Sequence, residues 1–236
     1  MSGHSKWSTI KRKKAINDQA RGKVFSKLSK IITIAVKTGG GPNADMNPRL
    51  RLAIETAKAA NMPKENIERA ISKANTDAAN LEEMTYEGFG PGGVGVIVEA
   101  TTDNRNRTVQ EIKQIFDKNG GTLGTPNSVA FNFDTVGAIV LDTKTVSEDD
   151  MLRLIDMGVE DIQTQDGETV LYTTQADLSK VGKAIEEAGF VLQHSNIVRR
   201  PKMLVEISDA DGEKLQNLLD ILDDHDDVQE VFVNAG

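Results

Sequence analysis

The sequence predicts an α+β multidomain fold, with an N-terminal three-helix bundle plus two α+β (ferredoxin-like) domains, one inserted in the other. Three observations lead to this prediction. The first 75 residues have helical periodicity, and the segments after them alternate between strand and helix patterns. The chain has 236 residues, and this length exceeds the common single-domain size of roughly 100–150 residues.

Residues 1–75 contain three amphipathic helical patterns. Asn47-Pro48 is typical of an N-cap followed by proline in the first turn, and Asn61-Met62-Pro63 separates the second helix from the third. Three short helices with one apolar face each predict a helical bundle. In the first helix, the apolar residues recur at helical spacing at Val24, Leu28, Ile31, Ile32 and Ala35.

Beyond residue 80 the pattern changes to strands and helices. Met84–Phe89 and Val94–Ala100 flank Gly90-Pro91-Gly92-Gly93. We interpret this glycine-rich segment as a hairpin turn, because a phosphate loop would end in Gly-Lys-Ser/Thr and open a helix. A helix over Thr108–Lys118 and a strand over Ser128–Phe133 follow.

The second half of the chain predicts an inserted domain. Residues 136–200 follow the order βαββαβ of the ferredoxin-like unit. The chain then returns with a strand over Met203–Ile207, a helix over Gly212–Leu222 and a strand over Val228–Val233. We therefore predict a basic helical domain at 1–75, a discontinuous α+β domain at 81–135 and 201–236, and an inserted domain at 136–200. Two consecutive independent domains are the alternative.

Charge is divided sharply along the chain. The first 75 residues hold 16 Lys and Arg against 5 Asp and Glu, and the remainder holds 12 against 31. The net charges are therefore near +11 and −19, within a total of −8. A basic segment on an acidic body is typical of a protein that binds a polyanion with one end only.

Composition excludes several classes of protein. Cysteine is absent, which rules out disulfides, thiolate metal sites and cysteine nucleophiles. Apolar runs are too short to span a membrane, and the amino terminus lacks an apolar secretory signal. We expect a cytoplasmic protein without a membrane partner; a mitochondrial targeting segment over Met1–Ile16 is the alternative.

The basic region is the candidate binding site. Lys and Arg neutralise phosphates, and an aromatic ring offers a stacking face for an unpaired base. A solvated tail and, for the tryptophan, a structural anchor are the alternatives. The residues expected to bind nucleic acid, as DNA and/or ribosomal RNA, are Lys6, Trp7, Lys11, Arg12, Lys13, Lys14, Arg21, Lys23, Lys27 and Lys30.

Arg105 and Arg107 form a second, smaller candidate within the polar run 101–108. They could contact phosphate, and the alternative is helix capping together with a structural ion pair. We interpret Asp223–Asp227 as a solvated turn.

No catalytic constellation emerges, and the histidines lack metal-ligand spacing, so we expect no catalytic residue, no metal and no cofactor. If Met1 is removed, Ser2-Gly3-His4 could hold Cu(II) or Ni(II) in a square plane.

Six motifs together resemble one known family. They are Ser2–Lys14, Asn47–Arg51, Asn61–Ile71, Tyr86–Val94, Thr102–Thr108 and Gly120–Gly124. The chain resembles the YebC/PmpR family, which is related to the mitochondrial translational activator of cytochrome c oxidase. The resemblance implies a transcriptional regulator that binds DNA, and also a role on the ribosome in relieving stalling at proline runs. It also implies a helical N-terminal domain with two α+β domains. An enzyme acting at the interdomain cleft is the alternative from a different class.

Overall fold

A computed structural model describes residues 18–74, 80–142, 146–165 and 168–236. Helix α1 spans Asp18–Thr38, α2 spans Pro48–Ala59 and α3 spans Lys64–Ala74. Their apolar faces share one core, as the helical spacing predicts. The fully or nearly fully buried members of this core include Leu28, Ile32, Ala35, Leu50, Ala53, Ile67 and Ala70.

Asn47 joins the end of α1 to the start of α2. Its side chain is buried, and its Oδ1 accepts the Leu50 N–H at 2.9 Å, as expected of an N-cap. Its amide group donates to the carbonyls of Ala35 at 2.9 Å and Gly41 at 2.8 Å. A Cβ on Gly39 would lie 2.2 Å from Asn47 Oδ1, so the chain requires glycine at this position. The turn is therefore specified by one amide and one glycine.

The remaining elements build two antiparallel sheets with two helices each. They are β1 (Glu82–Phe89), β2 (Gly95–Thr102), α4 (Arg105–Lys118), β3 (Thr122–Leu123), β4 (Phe133–Leu141), α5 (Glu148–Asp156), β5 (Asp161–Gln165), β6 (Glu168–Thr174), α6 (Leu178–Glu187), β7 (Leu192–Pro201), α7 (Asp209–Asp224) and β8 (Val228–Val233). The predicted α+β class, with a three-helix N-terminal part, is confirmed.

The strand order shows how the two sheets share the chain. The first sheet has the order β3-β1-β2-β8, so a strand from the end of the sequence pairs with β2. The second has the order β5-β6-β4-β7, which is the ferredoxin-like order for a βαββαβ unit. Residues 133–201 therefore build one sheet between two parts of the other. The division into domains at the predicted boundaries stays a prediction.

The glycine-rich segment after β1 forms the predicted hairpin connection. Gly92 and Gly93 have φ of 72° and 77°, a region that favours glycine, and the Gly90 N–H donates to the Val94 carbonyl at 2.7 Å. The segment joins two paired strands, as expected.

Two predicted strands are wrong. The segment Ser128–Phe133 is a loop with a 3₁₀ turn at Ala130–Asn132, and the strand begins only at Phe133. The segment Met203–Ile207 makes a single bridge, from Val205 to Ala235, because Ser208 already caps α7 three residues later. Both segments have strand-like composition, but other contacts satisfy their backbone groups.

Glu87 is the reason why the loop before β4 does not form a strand. Its carboxylate is buried and accepts three backbone N–H groups at 2.7 Å each, from Asn127, Val129 and Ala130. Burial raises the pKa of Glu87, but these three donors and the positive charge of Arg199 outweigh burial and hold the pKa below its ordinary value. The Glu87 side chain thus accepts backbone hydrogen bonds that a neighbouring strand would otherwise accept.

Contacts at two places position the second sheet against the helical bundle and against the first sheet. Helix α2 lies against β7, and Leu52 packs against the core of the second sheet. Arg199 Nε on β7 donates to Glu99 on β2 at 3.0 Å. Glu99 stands opposite Glu230 in the first sheet, and Arg199 offsets the repulsion of these like charges. In the described part of the chain, no helix combines the length and apolarity needed to cross a bilayer.

We predict that Glu87→Gln lowers the free energy of unfolding by about 1–3 kcal/mol, because the amide nitrogen of Gln opposes a backbone N–H that is left buried. Urea denaturation at pH 7 measures the change. Glu82→Gln, at an exposed position on the same strand, is the control and should stay within about 0.5 kcal/mol of the wild type. Equal small effects from both variants would contradict the role of Glu87.

Candidate nucleic-acid interface

The predicted interface divides into two parts. Arg21, Lys23, Lys27 and Lys30 lie on α1 within the described residues. The other predicted residues, together with Ser2-Gly3-His4, lie outside the described residues. They are Lys6, Trp7, Lys11, Arg12, Lys13 and Lys14.

Three of the four lysines of α1, namely Lys23, Lys27 and Lys30, contact the end of α7 and the turn that follows it. Their spacing of four and three residues places them on one side of the helix. The last carbonyls of a helix lack intrahelical partners and carry the negative end of its dipole, so they attract ammonium groups. The Nζ atoms donate to main-chain carbonyls in this order: Lys23 to Asp224 at 3.3 Å, Lys27 to Asp223 at 2.6 Å, and Lys30 to Asp226 at 2.9 Å.

Asp227 lies at the centre of this contact. Its side chain is only 4% exposed, and its Oδ1 accepts from Lys30 Nζ at 2.7 Å. Its Oδ2 accepts from Arg107 at 2.8 Å and from the Thr108 hydroxyl at 2.7 Å. Burial raises the pKa of Asp227, but the hydrogen bonds from Lys30, Arg107 and Thr108 outweigh it and hold that pKa well below its usual range. The buried carboxylate therefore stays charged and joins α1 to α4.

The interpretation of Asp223–Asp227 as a solvated turn is therefore wrong for its last residue. Asp224 and Asp226 are exposed, but Asp227 is buried. Its partners Lys30 and Arg107 are 197 and 120 residues away in the sequence. An acidic run of this kind carries no local signal that one carboxylate is buried.

The structure separates the two arginines of the second candidate. Arg107 contacts Asp103 at 3.0 Å as well as Asp227, and its N–H donates to Asn104 Oδ1, the N-cap of α4. This is the capping and ion-pair arrangement that was the alternative. Arg105 is exposed at the first position of α4. Of the two, Arg105 is therefore the better placed for an external phosphate.

His225 completes a hydrogen-bond network rather than a metal site. Ligand atoms of Glu111, His225 and Asp227 lie within 4.8 Å of one another. The imidazole Nδ1 accepts the Asp227 N–H at 3.1 Å, so Nε2 carries the proton and donates to Glu111 at 3.0 Å. Both nitrogens and both Asp227 oxygens are thus engaged, and two cations already neutralise that carboxylate.

A cleft of about 1220 Å³ lies between the helical bundle and the first sheet's helices. Its walls carry cations of α1, α3 and α4 and an equal number of carboxylates. For an enzyme acting in this cleft, one of these carboxylates would have to act as a general base. Asp227 is poorly suited to that role, because a carboxylate with a depressed pKa is a weak base. The charged groups in the walls are Lys23, Lys30, Arg69, Lys73, Arg107, Asp103, Glu111, Asp224, Asp226 and Asp227.

Sequence comparison places these features in a known family. Residues 5–77 match the TACO1/YebC protein N-terminal domain, and residues 81–235 match the TACO1/YebC second and third domain. This chain belongs to the TACO1/YebC family.

Relatives and a solved structure are similar to this chain over nearly its whole length. A "Probable transcriptional regulatory protein" of Dictyoglomus turgidum is 46% identical over 238 residues, which are 99% of this chain and 95% of the relative. A protein of the same description from Enterococcus faecalis is 46% identical over 240 residues, covering 100% and 99%. The crystal structure of a conserved hypothetical protein from Aquifex aeolicus has a TM-score of 0.89 at 44% identity and covers 98% and 96%. The TACO1/YebC relatives are thus named as regulators of transcription and not as enzymes.

We predict that Asp227→Asn lowers the free energy of unfolding at pH 7 by about 2–4 kcal/mol, because an amide nitrogen then faces Arg107 or Lys30. A carboxylate with a depressed folded pKa stabilises the protein above its unfolded pKa of about 3.9 and loses this contribution as the pH falls through the folded pKa. The difference between wild type and variant should therefore shrink at pH 3, measured by urea denaturation at both pH values.

Asp103→Asn is the control for this prediction. Asp103 contacts the same Arg107, but its side chain is 63% exposed, so its loss should change stability by less than about 1 kcal/mol. A difference between wild type and Asp227→Asn that is the same at pH 7 and pH 3 would contradict the buried charge.

Proposed function

We propose that this TACO1/YebC protein regulates gene expression by binding nucleic acid through its basic N-terminal region, residues 1–75. The observation that carries this proposal is the charge division, near +11 for that region and −19 for the remainder. Lys and Arg bind phosphates by neutralising them and releasing counterions. The acidic remainder repels the same ligand and so confines contact to one end of the protein.

The surface of α3 argues against insertion of this helix into a groove to read base edges. Its exposed side chains include Glu65 and Glu68 beside Arg69 and Lys73. Carboxylates on a helix inserted into a groove would face phosphates, so this helix is poorly suited to that task. Contacts to the phosphate backbone position a protein without selecting a sequence.

Two ligands remain under this proposal. The names of the relatives favour DNA and a transcriptional regulator. The mixed charge of α3 favours a ligand that is recognised by shape, and folded RNA is usually recognised in this way. Ribosomal RNA, with a role in translation on the ribosome, is therefore the second candidate. The relatives named above are bacterial, and bacterial DNA and ribosomes both lie in the cytoplasm, so either ligand supports a cytoplasmic location.

We predict that simultaneous charge reversal to Glu at Lys11, Arg12, Lys13 and Lys14 weakens nucleic-acid binding about 100-fold or more near 0.15 M salt, with a smaller salt dependence. Fluorescence anisotropy with labelled 20-base-pair DNA and with structured RNA measures this change. Circular dichroism and thermal unfolding should match the wild type.

The matched control reverses four exposed lysines outside the basic region, so the total charge change is identical. These are Lys113, Lys118, Lys180 and Lys183. If net charge alone governs binding, both variants weaken it equally and the proposed location is wrong. If the N-terminal region is the binding site, the control should lose only a small fraction of the affinity.

Sedimentation of a cell lysate through a density gradient distinguishes the two ligands. Nuclease footprinting of the material that migrates with the protein identifies the contacts. Ribosomal RNA fragments would support the translation role, and discrete promoter fragments would support the transcription role. Migration of the wild-type protein free of both nucleic acids, together with absent binding in vitro, would refute the proposed function.

A further inference from the structure

Lys23, Lys27 and Lys30 of α1 already donate to acceptors from the same chain. Lys23 and Lys27 donate to carbonyl oxygens at the end of α7, and Lys30 donates to the Asp226 carbonyl just after that end and to the Asp227 carboxylate. We infer that the end of α7 and Asp227 form an internal acceptor site that competes with nucleic acid for Lys23, Lys27 and Lys30. This inference rests on the proposed function.

The internal acceptors have the chemistry that a phosphate would supply. A lysine ammonium is a point charge with three donors, and it accepts any arrangement of oxygen atoms around it. The carbonyls at the end of α7 carry partial negative charge, and Asp227 adds one full charge that stays ionised. A phosphate group has charged oxygen atoms that could accept hydrogen bonds from the same ammonium groups. The two acceptors are therefore alternatives for the same donors.

The contact between α1 and α7 is polar and can be exchanged. The core of the helical bundle consists of residues between Val24 and Ala74, and the core beneath the first sheet consists of residues from Tyr86 onwards. Among the described residues, neither core includes a side chain from the other. Lysine side chains bridge the gap. The hydrogen bonds from Lys23 to Asp224 and from Lys30 to Asp226 are exposed, and exposed polar contacts of charged groups are weakened by salt.

A separate contact keeps the bundle attached when the lysines change partners. Leu52 of α2 packs against the core of the second sheet, and Arg49 forms an ion pair with Glu83. Release of the lysines therefore does not require the bundle to leave the body. The exposed side chains of Asp224 and Asp226 lie beside the same contact and repel an approaching polyanion.

Competition makes a prediction that simple binding does not. Asp227→Asn removes the full negative charge that holds Lys30, so the variant should bind labelled 20-base-pair DNA or structured RNA about threefold more tightly or better, depending on which ligand the wild type binds. Asp103→Asn has the same change in net charge but touches no lysine, and its affinity should equal that of the wild type. Tightening by both variants to the same extent would attribute the effect to net charge and overturn the inference.

Replacement of Lys23, Lys27 and Lys30 by Gln tests the other half of the competition. If these lysines serve nucleic acid in the bound state, the triple variant should bind about tenfold or more weakly. Unchanged affinity would mean that they serve only the contact with α7, and the inference would be wrong while the proposed function stood on the Lys11–Lys14 segment. Absence of binding by the wild type would instead refute the proposed function.

A second pair of variants covers the case in which Asp227→Asn fails to fold. Asp224→Asn with Asp226→Asn changes exposed side chains beside the lysine contact, and Asp149→Asn with Asp156→Asn makes the same change on α5. Only the first pair should tighten binding, by about twofold or more. Labelling of wild-type lysines with an amine-reactive reagent should also be slower at Lys30 than at the exposed Lys58. Equal affinities of the two pairs and equal labelling rates would overturn the inference.

Discussion

The contact of α1 with α4 and with the end of α7 depends on one buried negative charge. A carboxylate removed from water is unfavourable unless cations and hydrogen bonds compensate it. Asp227 receives this compensation from two different units, through Lys30 of α1 and through Arg107 and Thr108 of α4. Without Lys30 the carboxylate keeps only Arg107 and Thr108 as compensation, so a ligand that draws this lysine away must offset the loss. At this contact α1 is held by electrostatics, and Leu52 adds the apolar contact between the bundle and the second sheet.

Two other buried polar side chains also fix local structure through hydrogen bonds. Glu87 holds a loop through three backbone N–H groups, and Asn47 holds the α1–α2 turn through one acceptor and two donor contacts. Each is a buried polar side chain whose groups are satisfied by main chain. Such residues fix local geometry more strictly than apolar packing does, because hydrogen bonds are directional.

Local patterns were sufficient for most of the secondary structure. Helical periodicity located all three helices of the bundle, Asn47-Pro48 marked the start of α2, and the Gly90–Gly93 segment marked the first hairpin. Two of the three failures share a cause, while the wrong strand at Met203–Ile207 has a local cause, the N-cap of α7 at Ser208. The strand predicted at Ser128–Phe133 was displaced by Glu87, which lies about 40 residues earlier, and the burial of Asp227 depends on residues more than 100 positions away. Sequence patterns report neighbours along the chain and do not report such partners.

The residues of the second sheet lie, in the sequence, between strands of the first sheet, and this order affects the chain entropy lost on folding. The two connections to the second sheet leave side by side, because Phe133 pairs with Pro201 at the start of the β4–β7 ladder. Once this ladder has formed, the 67 residues between those two positions act as a closed loop with adjoining ends. Bringing β8 to β2 then requires closure of a much shorter effective loop, and the entropy of closure grows with loop length. The residues of the second sheet therefore lengthen the sequence between β2 and β8. They increase the entropy lost when these two strands pair by much less than a flexible loop of the same length would.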